Sequence, residues 1–391
     1  MKHIMTRKYN LYTKCFSIIL TLIVAVTCLP IDANAVAIDN KVDFSTEISA
    51  SEISAMETAM EARGIGGNVE VEVLYDSDDN PSLLLGTSDS GYQIIARGTL
   101  RCIEGGESNP YLNYSSNKKY YGGILNYYVD AGNDFYDITR NTIVSSPSKS
   151  DYLDEAVSGS VQAGDTVNSS IQTEAAFSAS ASATASITFT KIIPNAETRI
   201  QRRAFGYNND NTCSAVACTI VLNYLDYDDN RIVPSNYQLE ALTSNSGSNV
   251  ATDSPRAHAF HRFLVEDCGM GAVSYANGIA YAIDDYRESS TTISNSEIDC
   301  EWTLNIYTNF GIDELLADRP TMLTSTIAGD YSWHTMPVYG YRRYSDNSLE
   351  WLVHPGWYSR LVYEDGVYRM PEIWVAASTA TYLYRFTYDG M

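Results

Sequence analysis

A polar, turn-forming run that leads straight into an apolar helical segment constrains this chain most. Residues 208–212 are Asn-Asn-Asp-Asn-Thr, and Cys213 opens the segment Cys-Ser-Ala-Val-Ala-Cys-Thr-Ile-Val-Leu-Asn-Tyr. Apolar residues cover nearly every side of the helix that this spacing predicts over 213–226, and such a helix is buried. A helix N-terminus presents backbone N–H groups and positive potential, which favour a thiolate. The segment therefore predicts a buried helix with a candidate nucleophile, Cys213, at its exposed end.

The other cysteines give no metal-binding pattern. Cys218 lies about 140° from Cys213 around the helix axis, so we expect it to be an inert core residue. No pair has the C-x-x-C spacing of a structural zinc site, and we predict no metal and no cofactor. The spacing of Cys268 and Cys300 is compatible with a disulfide without establishing one. A packed, unreactive thiol remains the alternative interpretation of Cys213.

A histidine at the start of an apolar strand is the first candidate for a general base. His334 lies 121 residues after Cys213, in Ser-Trp-His-Thr-Met-Pro-Val-Tyr-Gly-Tyr. A base must offer a neutral imidazole within hydrogen-bond reach of the sulfur. His258 and His261 are the rivals, but Arg256 and Arg262 flank them, which favours a solvated helix face. A core histidine satisfied by backbone groups is the alternative for His334.

Two further groups complete a nucleophilic site. A third polar residue must orient the imidazole, and His354, in Leu-Val-His-Pro-Gly-Trp, is 20 residues beyond His334. An oxyanion hole needs the backbone N–H of Cys213 and one side-chain donor. Asn209 and Asn211 are the candidates for that donor, although helix capping and turn formation explain them equally well.

The N-terminus has the pattern of a secretory signal peptide. Basic residues precede an apolar run from Phe16 to Pro30, and Ala33-Asn34-Ala35 is an A-x-A cleavage site. We therefore expect export, removal of residues 1–35, and no membrane insertion afterwards. The formal net charge is −22. The signal contains four basic residues and one acid, so its removal leaves about −25, a charge that disfavours nucleic acid and anionic membranes.

Composition divides the mature chain in two. Residues 36–195 predict a helical pattern and then a β-rich meander, in which Asp76–Asn80 is expected to be a hairpin turn rather than a calcium loop. Residues 106–170 suggest irregular, tyrosine-lined packing. The run of small residues at about 174–190 is typical of an exposed linker. Residues 196–391 predict an α+β domain with helices first and strands later. Its expected elements are helices at 213–226, 235–243, 255–267 and 311–318 and strands at 321–327, 334–342, 349–354, 360–363, 367–369 and 379–388.

The motifs together resemble the papain clan of cysteine peptidases, especially its secreted bacterial streptopain-like and bacteriocin-processing branches. The matching segments are Asn-Thr-Cys213-Ser-Ala-Val-Ala, His334-Thr-Met-Pro-Val-Tyr-Gly-Tyr and Val-His354-Pro-Gly-Trp357. The resemblance covers residues 204–391 and implies a papain-like fold, a central buried helix packed on an antiparallel sheet. It implies Cys213 as nucleophile, His334 as base, His354 as orienter and Trp357 as the residue that shields the histidine pair.

The chain departs from the family at two positions. The family has Asn or Asp where His354 stands, and a neutral imidazole stabilises a neighbouring imidazolium less well than Asp does. Tyr207 replaces the glutamine that the family places about six residues before the cysteine. The segment Gly91-Tyr-Gln-Ile-Ile-Ala96 resembles part of the inhibitory propeptide of streptopain-like enzymes. The resemblance thus implies that residues 36–195 are a pro-region, with a permanent accessory domain as the alternative.

The sequence as a whole predicts a secreted bacterial cysteine peptidase, made as a zymogen, that acts on peptide or protein substrates through a thioester on Cys213. Two other classes of function remain open. One is an inactive binding module on the same fold, and the other is an amidase or transpeptidase that acts on cell-wall peptides.

Overall fold

The computed structural model describes residues 44–123, 125–147, 182, 184–207, 212–227, 232–244, 254–271, 276–289, 298–304, 308–326 and 333–388. The predicted signal peptide, Asn209, Asn211 and most of the predicted linker lie outside these ranges. The described residues all belong to one compact unit that begins at Val42. None of the helices in these ranges is long and apolar enough to span a bilayer.

The helix predicted from the apolar run is present with the predicted bounds. Helix α2, Cys213–Asp226, has 13 buried residues among its 14, and only Asn223 is partly exposed. It packs against a long strand of the central sheet and against a helix formed by Pro255–Glu266. A helix that is apolar all round needs cover on every side, and this position supplies it.

Four other α-helices lie within the described residues. They are α1, Ala50–Ala62; α3, Pro255–Glu266; α4, Asn277–Ser289; and α5, Asn309–Leu316. Helix α1 carries the capping box of Ser49 and Glu52 at its N-terminus. Helix α3 begins at a proline, which is well suited to the first turn of a helix.

A mixed α+β architecture with antiparallel sheets is the observed fold class, as the sequence predicted. Within the described ranges, one 11-stranded sheet has the order β1-β2-β3-β4-β16-β13-β12-β11-β17-β10, and β9 pairs with β12. Its strands are β1, Glu70–Leu74; β2, Leu83–Ser88; β3, Gly91–Ala96; β4, Cys102–Gly106; β9, Ile187–Ile192; β10, Ile298–Leu304; β11, Thr321–Thr326; β12, Trp333–Tyr344; β13, Leu349–Val353; β16, Ile373–Ala376; and β17, Ala380–Tyr388.

Two smaller sheets complete the β structure. The tyrosine-rich segment predicted to be irregular contains a four-stranded antiparallel sheet, β5-β6-β7-β8, and β14 pairs with β15. Buried tyrosines such as Tyr121 and Tyr127 fill the space beside this sheet. The bounds are β5, Lys119–Gly123; β6, Asn126–Asp130; β7, Phe135–Asp137; β8, Thr142–Val144; β14, Val362–Glu364; and β15, Val367–Arg369.

The described end of the predicted linker is part of the central sheet. Residues 187–190 belong to β9, which pairs with β12 from Ile187↔Tyr344 to Ile192↔Gly340. The run of small residues ends at Ser186, and the β-branched and aromatic residues that follow suit a strand. The N-terminal meander joins the same sheet, because β4 pairs with β16. The expected domain boundary therefore falls between strands of one sheet.

The helix predicted at 235–243 is absent, and tertiary hydrogen bonds explain why. The backbone N–H of Leu239 donates to Asn223 Oδ1 at 2.8 Å. The N–H of Leu242 donates to the carbonyl of Arg202, also at 2.8 Å, while Glu240 accepts from Ala204. These bonds to other segments replace the i to i−4 bonds of a helix, so the segment crosses α2 in an irregular conformation.

The turn at Asp76 is a hairpin turn, as predicted. Asp76 Oδ1 accepts the N–H groups of Asp78 and Asn80, both at 2.9 Å, and Oδ2 accepts the hydroxyl of Ser82. These bonds close an Asx-type turn between the antiparallel strands β1 and β2.

A buried ion pair between Arg63 and Glu350 joins α1 to the central sheet and should contribute to the stability of the fold. Arg63 follows α1, Glu350 lies in β13, and their side chains are 2% and 4% exposed at a separation of 3.2 Å. Removal of one partner leaves the other charge buried and unpaired, so Arg63→Met should lower the free energy of unfolding by about 3–5 kcal/mol. Urea unfolding measures this value. Glu301→Gln breaks an exposed ion pair with Arg385 and is the control, with an expected cost below about 1 kcal/mol. Equal costs for the two variants would contradict the prediction.

Candidate active site

Cys213 contacts the strand that carries His334. The cysteine is the first residue of α2 and is 6% exposed. The backbone N–H of Thr335, in β12, donates to Cys213 Sγ at 3.4 Å. The fold therefore brings the sulfur against the residue that directly follows His334.

The ring of His334 is fixed by a backbone carbonyl. His334 is 6% exposed, and its Nε2 lies 2.9 Å from the carbonyl oxygen of Pro355. A carbonyl oxygen can only accept, so Nε2 carries the proton in the neutral ring. The other nitrogen, Nδ1, is then the basic atom. This tautomer is the one that a general base for the Cys213 thiol needs if Nδ1 receives the proton.

Trp357 covers the same imidazole. Its ring stacks on His334 with centroids 5.6 Å apart and an interplanar angle of 24°. An indole over one face of the histidine limits the rotation of the ring and excludes water from that side. This contact agrees with the position that the resemblance implied for Trp357.

His354 does not occupy the orienter position that the sequence suggested. The ring is fully buried, and its Nδ1 accepts the backbone N–H of Gly356 at 3.2 Å. Its Nε2 has no hydrogen-bond partner among the described residues. Phe205 packs edge-to-face on it at 4.7 Å. Instead, the carbonyl of Pro355, the next residue, bonds to the His334 ring. The predicted contact between the two imidazoles is therefore wrong for this structure.

Burial shifts the ionisation of the site toward neutral groups. Burial raises the pKa of the Cys213 thiol, and the N–H of Thr335 offsets this only in part. Burial lowers the pKa of His334 to about 4, against the opposing effect of the Pro355 carbonyl, and the charge of Arg140 lowers it further. Both shifts favour the neutral thiol and the neutral imidazole, opposite to the thiolate expected from the helix N-terminus.

His261 is the residue that the sequence interpretation missed. It was expected on a solvated face, but it is 6% exposed, and its Nε2 lies 2.9 Å from the hydroxyl of Thr212, the residue before Cys213. Burial lowers its pKa to about 4. A Cβ at Gly206 would come within 2.4 Å of the His261 Cβ, so the backbone at Gly206 packs tightly on this histidine. The signal was present, because His261 shares the apolar stripe of Phe260 and Leu264 on α3.

A buried chain of hydroxyl groups lies behind Thr335. Thr335 Oγ1 is 2.8 Å from Thr324 Oγ1 and 3.3 Å from the hydroxyl of Ser214. Thr324 Oγ1 is in turn 2.9 Å from the hydroxyl of Tyr384, which accepts the backbone N–H of Ala276. Satisfied buried networks fix a single arrangement of the groups they join. This one fixes Thr335, whose N–H contacts the sulfur.

The remaining candidate residues have simple outcomes. Cys218 is fully buried, with its sulfur 3.8 Å from Met322 Sδ, as expected of a core residue. Cys268 and Cys300 are separate thiols, and no disulfide forms among the described cysteines. No cluster of His, Cys, Asp and Glu that could hold a metal ion occurs in the described ranges. Asn209 and Asn211 lie outside these ranges, so their part in an oxyanion hole stays a prediction.

A groove with a volume of about 820 Å³ lies beside this site. Gly356 and Trp357 line it together with Tyr207 and the segment that follows Trp357. Its other lining residues come from the N-terminal region, at 108–110, 112–114, 136 and 138–141. Trp357 thus belongs both to the groove and to the contact with His334.

Comparison with known proteins gives distant likenesses only. No family model matches the sequence, and no curated protein matches it. Among solved structures, the chain is similar to a recombinant stem bromelain precursor, with 15% identity, a TM-score of 0.23, and coverage of 48% of this chain and 67% of that one. A second is the bromelain protease from Ananas comosus in complex with the E64 inhibitor, at 14% identity and a TM-score of 0.24, covering 48% and 94%. Overlaps at these scores carry no argument, and the site is interpreted from its own geometry.

The low pKa values of the buried histidines predict an acid-sensitive fold. Burial holds the pKa of His354 at about 3, whereas an unfolded histidine titrates near 6.5. The unfolded chain therefore binds more protons between these values, so stability is complete above about pH 6.5 and is lost as the pH falls. At pH 5 the loss should be about 2 kcal/mol for this ring. Urea unfolding at pH 7 and pH 5 measures it, and His354→Gln should lose about 2 kcal/mol less than the parent. Equal losses in both proteins would contradict the prediction.

Proposed function

We propose that this protein is a secreted cysteine peptidase with a papain-like core, in which Cys213 is the nucleophile and His334 the general base. One observation supports this most: the N–H of Thr335 donates to Cys213 Sγ while the preceding residue, His334, is held at Nε2 by the Pro355 carbonyl. A structural cysteine has no need of a neighbouring imidazole whose tautomer and orientation are both fixed.

In this proposal the chemistry begins from the neutral pair. The proton of the Cys213 thiol moves to His334 Nδ1 as the sulfur attacks the carbonyl carbon of a peptide. The tetrahedral oxyanion is stabilised by the Cys213 backbone N–H and by Asn209 or Asn211. His334 then gives its proton to the leaving amine as the C–N bond breaks and a thioester remains. Water, deprotonated by His334, hydrolyses that thioester and releases the thiol.

The neutral resting pair does not argue against catalysis. Substrate that enters the site changes the burial and the polar contacts of both groups, and the ion pair need only form during attack. An inactive binding module with the same core would show the same buried thiol without its reactivity. An amidase or transpeptidase would share the thioester and differ only in the substrate or in the acceptor.

Export is part of the same proposal. The N-terminal segment has the charge pattern, apolar run and A-x-A site of a signal peptide, so the mature protein would begin near Val36 and act outside the cell. Residues 36–195 would be either an inhibitory pro-region or an accessory domain. The strand pairing of β4 with β16 supports the accessory domain.

The nucleophile is tested by reactivity and turnover together. In the chain from Val36 to Met391, Cys213→Ala and His334→Ala should each lower kcat/KM for peptide cleavage by about three orders of magnitude or more. Labelling of the protein by an epoxysuccinyl peptide should disappear in Cys213→Ala. Cys218→Ala, which removes a thiol from the middle of the same helix, is the matched control and should keep both signals. Slow labelling of Cys213 with no cleavage would favour the binding module.

The orienter is tested at His354. His354→Gln keeps an acceptor for the Gly356 N–H and leaves the Pro355 carbonyl in place, so kcat should stay within about tenfold of the parent. A side chain that orients the catalytic histidine costs about 10⁴-fold when it is replaced. A loss of that size, in a variant whose far-ultraviolet circular dichroism and thermal midpoint match those of the parent, would restore the orienter role to His354.

A further inference from the structure

The loops that follow β4 and β7 in the N-terminal region form one wall of the groove beside Trp357. Residues 108–110 and 112–114 precede β5, and residues 136, 138 and 139–141 lie in or next to β7. The facing wall runs from Gly356 to Tyr363 and includes the Trp357 that stacks on His334. Trp357 thus links the groove to His334, and the remaining lining residues connect it to the N-terminal region.

Direct bonds hold the two walls in register. Ser359 Oγ donates to the carbonyl of Thr139 at 2.9 Å, and Arg360 Nη2 donates to the carbonyl of Ser108 at 3.2 Å. Arg360 is itself 5% exposed. Close by, Glu104 of β4 is 1% exposed and accepts the hydroxyls of Tyr92 and Tyr121. Separation of the walls would break the bonds of Ser359 and Arg360 and expose the buried guanidinium of Arg360, so the N-terminal wall is a stable part of the groove.

The proposed chemistry indicates which side of the cleaved peptide bond would bind in this groove. His334 protonates the leaving amine, so the residues that follow the cleaved bond must depart past the imidazole. Trp357 covers that imidazole and lines the groove. The groove therefore lies on the leaving-group side of the site.

The composition of the walls differs from that of the protein as a whole. The chain has 48 acidic residues and 26 basic ones, yet no Asp or Glu is among the described lining residues. Two arginines line it instead: Arg140, whose side chain is 16% exposed and paired with Asp137, and the buried Arg360. The other prominent lining side chains are aromatic, apolar or amide groups, among them Tyr114, Tyr136, Tyr207, Trp357, Tyr363 and Leu112.

We propose that this groove binds the first residues on the leaving-group side of a peptide substrate and selects aromatic or large aliphatic side chains over basic ones. The inference rests on the proposed peptidase activity and adds the substrate class. Aromatic rings and aliphatic chains bury area against the tyrosines, whereas Lys or Arg finds no carboxylate among the described lining residues to pair with. Residues 108–114 and 136–141 are then part of the substrate site, and the N-terminal region remains in the active enzyme.

Internally quenched peptides that differ only at the first three positions after the cleaved bond test the selection. With the chain from Val36 to Met391, kcat/KM for peptides with Phe or Leu should exceed that for Lys by about tenfold or more. Leu112→Glu places a carboxylate on the N-terminal wall at a side chain that is 73% exposed, so folding should be unaffected. It should raise the Lys-to-Phe ratio of kcat/KM by about fivefold. Leu316→Glu, at a leucine 52% exposed on α5, is the matched control and should leave the ratio unchanged.

The outcomes distinguish a failure of the groove assignment from a failure of the proposed peptidase activity. Cleavage without discrimination between Phe and Lys, or an unchanged ratio in Leu112→Glu, would overturn the groove assignment and leave the peptidase in place. Activity only after the chain is trimmed at residue 195 would show that the N-terminal wall is an inhibitor, which also overturns the assignment. If no peptide is cleaved and Cys213 labels as an ordinary thiol, the proposed function fails and the groove assignment fails with it.

Discussion

The contact between the backbone N–H of Thr335 and Cys213 Sγ is the constraint on which the rest of the candidate site depends. It requires the first turn of α2 to lie against the start of β12, and both elements must then be covered. The all-apolar surface of α2 provides that cover on one side, and the hydroxyl network behind Thr335 fixes the strand on the other. This contact also fixes the position of the His334 backbone near Cys213, because His334 precedes Thr335 by one residue.

Burial has an electrostatic consequence for such a site. A charged pair in a poorly solvated pocket must recover its lost hydration from neighbouring dipoles, and one N–H and one carbonyl recover only part of it. Burial therefore raises the pKa of Cys213 and lowers that of His334, which favours the neutral form of each group. The helix N-terminus acts in the opposite direction, because its positive potential favours the thiolate.

The sequence predicted what depends on local pattern. The bounds of α2, the strand at His334 and the meander of β1 to β4 follow from periodicity, and the structure contains all three. It could not predict what depends on tertiary contacts. The segment at 235–243 exchanges helical bonds for bonds to Asn223 and Arg202. His261 appeared solvated from its arginine neighbours, although the apolar stripe of α3 includes it. Its contact with Thr212 in the structure shows that the apolar stripe, not the arginine neighbours, indicated its position correctly.

A backbone carbonyl in the orienter position changes what the histidine can do. The Pro355 oxygen fixes the tautomer and direction of the His334 ring as well as a side-chain amide would, and no substitution of residue 355 removes it. A carbonyl carries only a partial negative charge, so it stabilises an imidazolium less than a carboxylate does. The ion pair would thus be costly at rest and would be favoured mainly when substrate and oxyanion complete the polar surroundings. The same geometry explains why His354 can be a packed core residue. Once the backbone of Pro355 supplies the acceptor, the His354 side chain packs on Phe205 and accepts the N–H of Gly356 instead of contacting His334.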